Sequence, residues 1–124
     1  MIQDTLLSLG ESGCLLLCYA ELANIKVEDI IKDFDRLVLN DIIRSDCFVK
    51  DADKLLQFYN KNGRVEKEYI QNIKDEKYIA SWEYNGKNHF VIMQNEKVIY
   101  NTLAFSHCVK YGTINKIVRV IRCK

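Results

Sequence analysis

The dipeptide Asn85-Gly86, which has β-forming residues on both sides, constrains the fold more than any other feature of this sequence. Asparagine and glycine both accept positive φ, so this pair between apolar runs favours the two-residue turn of a β-hairpin. The two strands are expected over residues 78–82 and 88–93. The chain turns again at 94–96 and continues over 97–101, which predicts an antiparallel meander. A β-branched run within residues 114–122 would complete or extend this sheet.

The N-terminal half begins with an apolar run that predicts a buried helix. Residues 14–20 read Cys-Leu-Leu-Leu-Cys-Tyr-Ala and leave no polar face. A helix from Gly13 to about Leu22, capped by the Ser12 side chain, should therefore be wrapped by the rest of the fold. We expect it to be the central element of the protein.

Two further helices are predicted before the sheet. Apolar residues recur at helical spacing over 27–38, with charged residues between them, which is typical of one amphipathic helix. A short third helix should start near Asp51 or Asp53 and end at Asn62-Gly63, where glycine accepts a left-handed conformation. The segment 39–50 is expected to be irregular. Because the helices precede the sheet along the chain, the predicted class is α+β.

The length and charge of the chain indicate one globular domain over residues 1–124. The chain has 48% hydrophobic residues and a formal charge of +1, from 18 basic and 17 acidic side chains. A chain of this size buries enough surface to fold without disulfides or a metal. Its near-neutral charge argues against nucleic acid and anionic membranes as partners, because both need clustered Lys and Arg. The composition does not indicate an oligomeric state.

The cysteines favour a reducing compartment. There are five, an odd number, and none forms a CxxC pair, so a disulfide scaffold is disfavoured. The start of the chain lacks the cationic segment of a signal peptide, and the apolar run at 14–20 is too short to span a bilayer. We therefore expect a cytoplasmic protein with reduced thiols.

The hairpin register predicts which side chains share a face. A two-residue turn at Asn85-Gly86 places His89 directly opposite Trp82. If the next turn has three or five residues centred on Asn95, His89 also faces Asn101, and the three side chains form one row. A two- or four-residue turn would instead direct Asn101 to the opposite face.

These residues have the parts of a Cys-His-Asn site. Cys14 would lie in the first turn of a helix, where free N–H groups and partial positive charge favour thiolate over thiol. His89 would act as the base, and Asn101 would orient its ring. The backbone N–H groups of Gly13 and Cys14 could help to hold an oxyanion. Trp82 would form part of the core or of the cleft wall.

The order of these elements resembles the papain-like cysteine peptidases. The resemblance rests on Ser-Gly-Cys at the start of an apolar helix, on Asn-His-Phe-Val-Ile-Met, and on Val-Ile-Tyr-Asn. Within that superfamily the chain is most similar to the compact bacteriocin-processing branch and its bacterial and phage relatives. The resemblance implies a papain-like fold, peptide or protein substrates and no cofactor. It also implies that Cys14 is the nucleophile, His89 the general base and Asn101 the orienting residue.

The chain departs from that family at the residue that completes its oxyanion hole. These peptidases usually carry a glutamine about six residues before the cysteine, and here that position is Ser8. Gln3 and Ser8 are the candidates to replace it. A papain-like scaffold that has lost catalysis and binds another protein is therefore an alternative function.

The same residues also have interpretations that involve no catalysis. Cys14 could be a buried structural thiol, and His89 could be a satisfied histidine of the sheet. A zinc site is a further alternative, with ligands drawn from Cys14, Cys18, His107, Cys108 and Cys123. Basic residues near the C-terminus predict a solvated sheet edge, where such residues discourage strand pairing: Lys110, Lys116, Arg119, Arg122 and Lys124.

Overall fold

The computed structural model describes residues 13–101 and 107–123, and it confirms the α+β class. Helices come first and an antiparallel sheet follows, as the periodicity predicted. The helices are α1 (Cys14–Ala23), α2 (Val27–Lys32), α3 (Phe34–Leu39), α4 (Ala52–Phe58) and α5 (His107–Tyr111). The strands are β1 (Arg64–Tyr69), β2 (Tyr78–Tyr84), β3 (Lys87–Gln94), β4 (Lys97–Tyr100), β5 (Thr113–Ile114) and β6 (Ile117–Arg122). A 3-10 helix, Ile70–Asn72, follows β1.

The strands form one sheet in the order β1-β6-β2-β3-β4, with β5 paired to β2. The predicted hairpin is confirmed. Asn85 and Gly86 have φ values of 52° and 76°, the two positive angles that a type I′ turn requires. The predicted pairing of Trp82 with His89 is also confirmed.

Each face of the sheet carries its own core. On one face, Ile79 and Ile92 pack with Leu16 and other buried residues of the N-terminal helices. On the other face, Val91, Val118 and their neighbours form a smaller cluster with the 3-10 helix and α5. Helix α1 packs on β3 and β2. Since α1 is the most apolar helix, its burial against the sheet follows directly from the sequence.

Two of the predicted helix boundaries were wrong. The amphipathic segment 27–38 is not one helix, because it divides at Asp33 into α2 and α3. The Asp33 carboxylate accepts hydrogen bonds from Arg36 and from the Tyr59 hydroxyl. The cap of α4 at Asp51 is confirmed, since its carboxylate accepts from the Lys54 N–H at 3.0 Å.

The end of α4 differs from the prediction at Asn62-Gly63. Helix α4 ends at Phe58, and the left-handed residue after it is Asn60, with φ of 56°. Gly63 is needed for a close approach instead of a cap. A Cβ at this position would lie 3.0 Å from the Ile121 side chain and 3.2 Å from the Arg122 carbonyl oxygen.

The C-terminal strand occupies an unexpected place. The run predicted as one strand over 114–122 divides into β5 and β6, and β6 lies between β1 and β2 inside the sheet. The prediction that Arg119 and Arg122 lie on a solvated edge was therefore wrong. Arg122 forms a bidentate pair with Glu76, at 2.8 and 2.9 Å. Strand β1, which pairs with β6, was not predicted.

No helix within residues 13–101 and 107–123 combines the length and apolar character needed to cross a membrane.

Candidate active site

The candidate nucleophile, Cys14, is the first residue of α1. Gly13 occupies the N-cap position without a side-chain cap, and its carbonyl accepts from the Leu17 N–H at 2.9 Å. The predicted cap, Ser12, lies outside the described residues. Cys14 is partly exposed, whereas Cys18, one turn further along the helix, is fully buried. The helix start therefore presents one accessible thiol beside the free N–H groups of its first turn.

The edge of β3 supplies a hydrogen-bond donor to that thiol. In this hairpin, Phe90 belongs to a pair with Ser81 in which the backbone groups point away from the partner strand. The Phe90 N–H therefore points toward β4. Among the described residues, β4 pairs with Ile92 and the two residues after it and does not extend to Phe90. The Cys14 sulfur accepts from the Phe90 N–H.

The candidate base, His89, is held by two side chains. It is 6% exposed. Its Nε2 donates to the Asn101 Oδ1 at 2.6 Å, and its ring is also hydrogen-bonded to Cys14. Because Nε2 carries the proton toward Asn101, Nδ1 is the nitrogen left to exchange a proton with the thiol. The structure thus brings together the three predicted side chains: Cys14, His89 and Asn101.

The route by which Asn101 reaches His89 differs from the prediction. The turn after β3 has two residues, Asn95 and Glu96, and not the three or five expected. By itself, a two-residue turn would direct Asn101 to the wrong face of the sheet. A β-bulge intervenes, since Met93 pairs with Val98 but Ile92 pairs with Tyr100.

The extra residue of this bulge is Ile99, which has no partner in β3. One inserted residue reverses the alternation of faces along the rest of the strand. Asn101 therefore lies on the same face of the sheet as His89. It is diagonal to His89, one pair further along the sheet, and not directly opposite it as expected. The predicted row of three side chains becomes a direct pair, Trp82 with His89, and a diagonal contact from His89 to Asn101.

The environment favours a charged thiolate–imidazolium pair. Burial by itself would raise the pKa of the Cys14 thiol. The hydrogen bonds from His89 and the Phe90 N–H, together with the charge of His89, outweigh burial and hold that pKa below its ordinary value of 9.0. Burial likewise opposes charge on His89, but the hydrogen bonds to Cys14 and Asn101 raise its pKa above 6.5. Both shifts favour transfer of the proton from sulfur to the ring.

The contrast with Cys18 shows that the lowered pKa of the Cys14 thiol comes from its position in the fold and not from its being a cysteine. Burial raises the pKa of the Cys18 thiol, and the nearby Cys14 and Glu21 raise it further. Within the described part of the chain, no histidine or backbone N–H offsets these effects at Cys18. Cys18 is therefore a neutral thiol of the core.

Trp82 lies across the sheet from His89 and is partly buried. Its indole Nε1 is shielded from solvent and has no hydrogen-bond partner among the described residues. The ring packs with the smaller cluster, which includes Val109 and Ile114. Trp82 therefore packs against the smaller core cluster, directly opposite His89 in the hairpin.

The residues proposed for the oxyanion hole are only partly described. Gln3 and Ser8 lie outside the described residues. Gly13 is buried at the N-cap of α1, immediately before Cys14 in the chain.

The zinc alternative gains no support from the described side chains. Among them, no three from His, Cys, Asp and Glu lie close enough together to hold a metal ion. None of the five cysteines forms a disulfide. The side chain of His107 is not among those described.

Sequence reasoning missed two features of this site, the donor role of the Phe90 N–H and the bulge at Ile99. Neither depends on the chemistry of its own side chain. The first follows from strand pairing that, within the described residues, ends before Phe90, and the sequence carries no signal for where that pairing ends. The second has no local signature in Lys97–Tyr100.

The protein therefore has an α+β fold. At the junction of its buried helix and its antiparallel sheet, a cysteine is hydrogen-bonded to a histidine, and the histidine is hydrogen-bonded to an asparagine. The chain belongs to the DUF261 family, described as a protein of unknown function, whose model matches residues 5–122. No curated protein matches the chain. No solved structure matches it either.

Proposed function

We propose that this protein is a thiol-dependent hydrolase of the papain-like type, which cleaves an amide or isopeptide bond in a peptide or protein. The observation that carries the proposal is the chain of contacts in which Asn101 holds Nε2 of His89 while the ring is hydrogen-bonded to Cys14. A nucleophile, a base and an orienting residue in this order form the general arrangement of covalent acyl transfer.

In the proposed reaction, the Cys14 thiolate attacks the acyl carbon and forms a tetrahedral intermediate. The imidazolium of His89 then gives its proton to the leaving amine, the carbon–nitrogen bond breaks, and a thioester remains on Cys14. Water attacks this thioester while His89 accepts a proton from the water, and the acid product leaves as Cys14 returns to thiolate. No cofactor takes part.

The surrounding residues support each step. Asn101 holds the His89 ring in one orientation, so Nδ1 already faces the Cys14 sulfur. The backbone N–H groups at Gly13 and Cys14 are candidates to hold the developing oxyanion, helped by the positive end of the α1 dipole. The order of elements resembles the papain-like peptidases over nearly the whole chain, and we infer a cytoplasmic location, where such a thiol stays reduced.

An activated ester tests this proposal without knowledge of the natural substrate. With p-nitrophenyl acetate, we expect a burst of p-nitrophenolate and an acetyl thioester on Cys14, identified by peptide mass spectrometry. Because a positioned base contributes about a hundredfold or more, His89→Ala should slow acylation of Cys14 by at least that factor. The exposed thiol of Cys123 provides an internal reference, and Cys14→Ala should abolish the burst.

The outcome separates an enzyme from a binding scaffold. Acylation of Cys14 no faster than that of Cys123 would refute the hydrolase. Rapid acylation with no subsequent release of acetate would instead indicate a scaffold that retains the nucleophile but has lost turnover, which is the alternative function.

A further inference from the structure

Arg119 differs from every other arginine of the chain. The other four each form an ion pair with a carboxylate: Arg36 with Asp33, Arg44 with Asp46, Arg64 with Glu66 and Arg122 with Glu76. Arg119 is partly buried in β6, inside the sheet, and has no carboxylate partner among the described residues. Keeping a charged side chain at such a position is costly, so its contacts call for a specific explanation.

The guanidinium of Arg119 contacts two residues beside the candidate site. Its Cζ lies 5.1 Å from the centre of the Phe90 ring, within the range of a cation–π contact. It also hydrogen-bonds to the hydroxyl of Tyr19, which is only 3% exposed. One planar group therefore joins a residue of β3 to a residue of α1.

Those two elements carry the two reacting groups of the proposed site. Phe90 follows His89 in β3, and its backbone N–H donates to the Cys14 sulfur. Tyr19 lies in α1, the helix that begins at Cys14. Movement of α1 away from β3 would lengthen both the contact of the Cys14 sulfur with the Phe90 N–H and its contact with the imidazole.

We propose that Arg119 is a positioning residue, which clamps Phe90 and Tyr19 together and so holds the Cys14 sulfur against His89 and the Phe90 N–H. This inference rests on the proposed function, because it concerns the geometry of the same site. Arg119 touches neither reacting group itself. Its effect is transmitted through the ring of Phe90 and the hydroxyl of Tyr19.

The test is the pH dependence of Cys14 alkylation by iodoacetamide, followed at each cysteine by mass spectrometry. In Arg119→Met, which keeps a long apolar side chain, we expect the profile to move toward higher pH. The rate at pH 7 should fall roughly threefold to tenfold, the size of effect expected from losing a partly buried cation–π contact. Arg119→Lys should show an intermediate shift, because an ammonium keeps the charge but not the planar fork.

Arg36→Met is the matched control. Arg36 also lies over an aromatic ring, with its Cζ 5.3 Å from the centre of Phe58, but far along the chain from the site. This variant loses the same kind of contact, and the Cys14 profile should not move. Tyr19→Phe removes one hydroxyl without changing the packing, and it should shift the profile in the same direction as Arg119→Met.

The possible results lead to different conclusions. A folded Arg119→Met protein with the wild-type profile would overturn the positioning role. If that variant does not fold, Arg119→Lys and Tyr19→Phe decide, and wild-type profiles in both would also overturn it. A wild-type protein whose Cys14 titrates as an ordinary thiol would instead refute the proposed function.

Discussion

At the scale of single residues, the state of Cys14 depends on what surrounds one sulfur atom. Cys14 and Cys18 share a helix, yet only Cys14 reaches His89 and the edge of β3. The sequence was sufficient to predict the places of Cys14 and His89, because helix starts and hairpin turns have local signatures. Asn101 was named correctly, but it reaches His89 through a two-residue turn and a bulge that the sequence did not predict. The Phe90 N–H could not be predicted, since every residue but proline carries this donor and only tertiary pairing shows which one is free.

The environment of Arg119 is a second feature, at the residue scale, that the local sequence could not predict. A basic residue in a C-terminal run with other basic residues is typically solvated, and that interpretation follows from composition alone. Its actual environment depends on the position of β6 in the sheet. Strand order joins residues that are distant in the chain, so the local sequence carries little information about it.

At the scale of elements, the bulge in β4 determines whether the site can form. The sequence predicted the first turn correctly because Asn-Gly has a strong conformational preference. The second turn, Asn95-Glu96, carries a glutamate at φ of 67°, which is unusual for this residue. The tighter turn and the bulge compensate for each other, and together they return Asn101 to the face of His89.

This compensation predicts the effect of deleting Ile99. Without the extra residue, β4 would continue in simple alternation and Asn101 would point to the other face. We expect loss of the His89 contact, so the acylation rate should fall about tenfold or more, as for loss of a hydrogen bond to a charged group. Asn101→Ala should have a similar effect, measured by the same ester assay.

Ile99→Ala is the control for the deletion, because it keeps the residue count. Ile99 is 48% exposed, so shortening its side chain should change little. If the deletion variant is folded and acylates as fast as Ile99→Ala, the bulge has no part in placing Asn101.

At the scale of the whole molecule, the site lies where the larger core meets the edge of the sheet. Helix α1 packs the larger core against one face of the sheet, while its first residue reaches the edge of β3. The α+β class and the burial of α1 were predictable, because both follow from hydrophobic periodicity. The insertion of β6 between β1 and β2 was not, and β1 has too many charged residues to be recognised as a strand by alternation.

The central position of α1 predicts a large effect of truncating Leu16. This residue is 0% exposed. Leu16→Ala should lower the free energy of unfolding by about 2 to 5 kcal/mol, through lost burial and the cavity left behind. Urea denaturation followed by circular dichroism provides the measurement.

Leu39→Ala is the matched control, since Leu39 is 83% exposed. Its effect should stay within about 0.5 kcal/mol. Equal and small effects of the two substitutions would mean that α1 is not packed in the core as described.

The central claim is that Cys14 and His89 form a thiolate–imidazolium pair, and the pH dependence of Cys14 alkylation tests it most directly. In the wild type, the thiolate should persist below pH 9.0, the ordinary pKa of the thiol, and be lost on acidification through the lowered pKa. In His89→Ala, burial remains while the strongest lowering contact is gone, so the midpoint should move to higher pH. Superimposable profiles of the two proteins would contradict the claim.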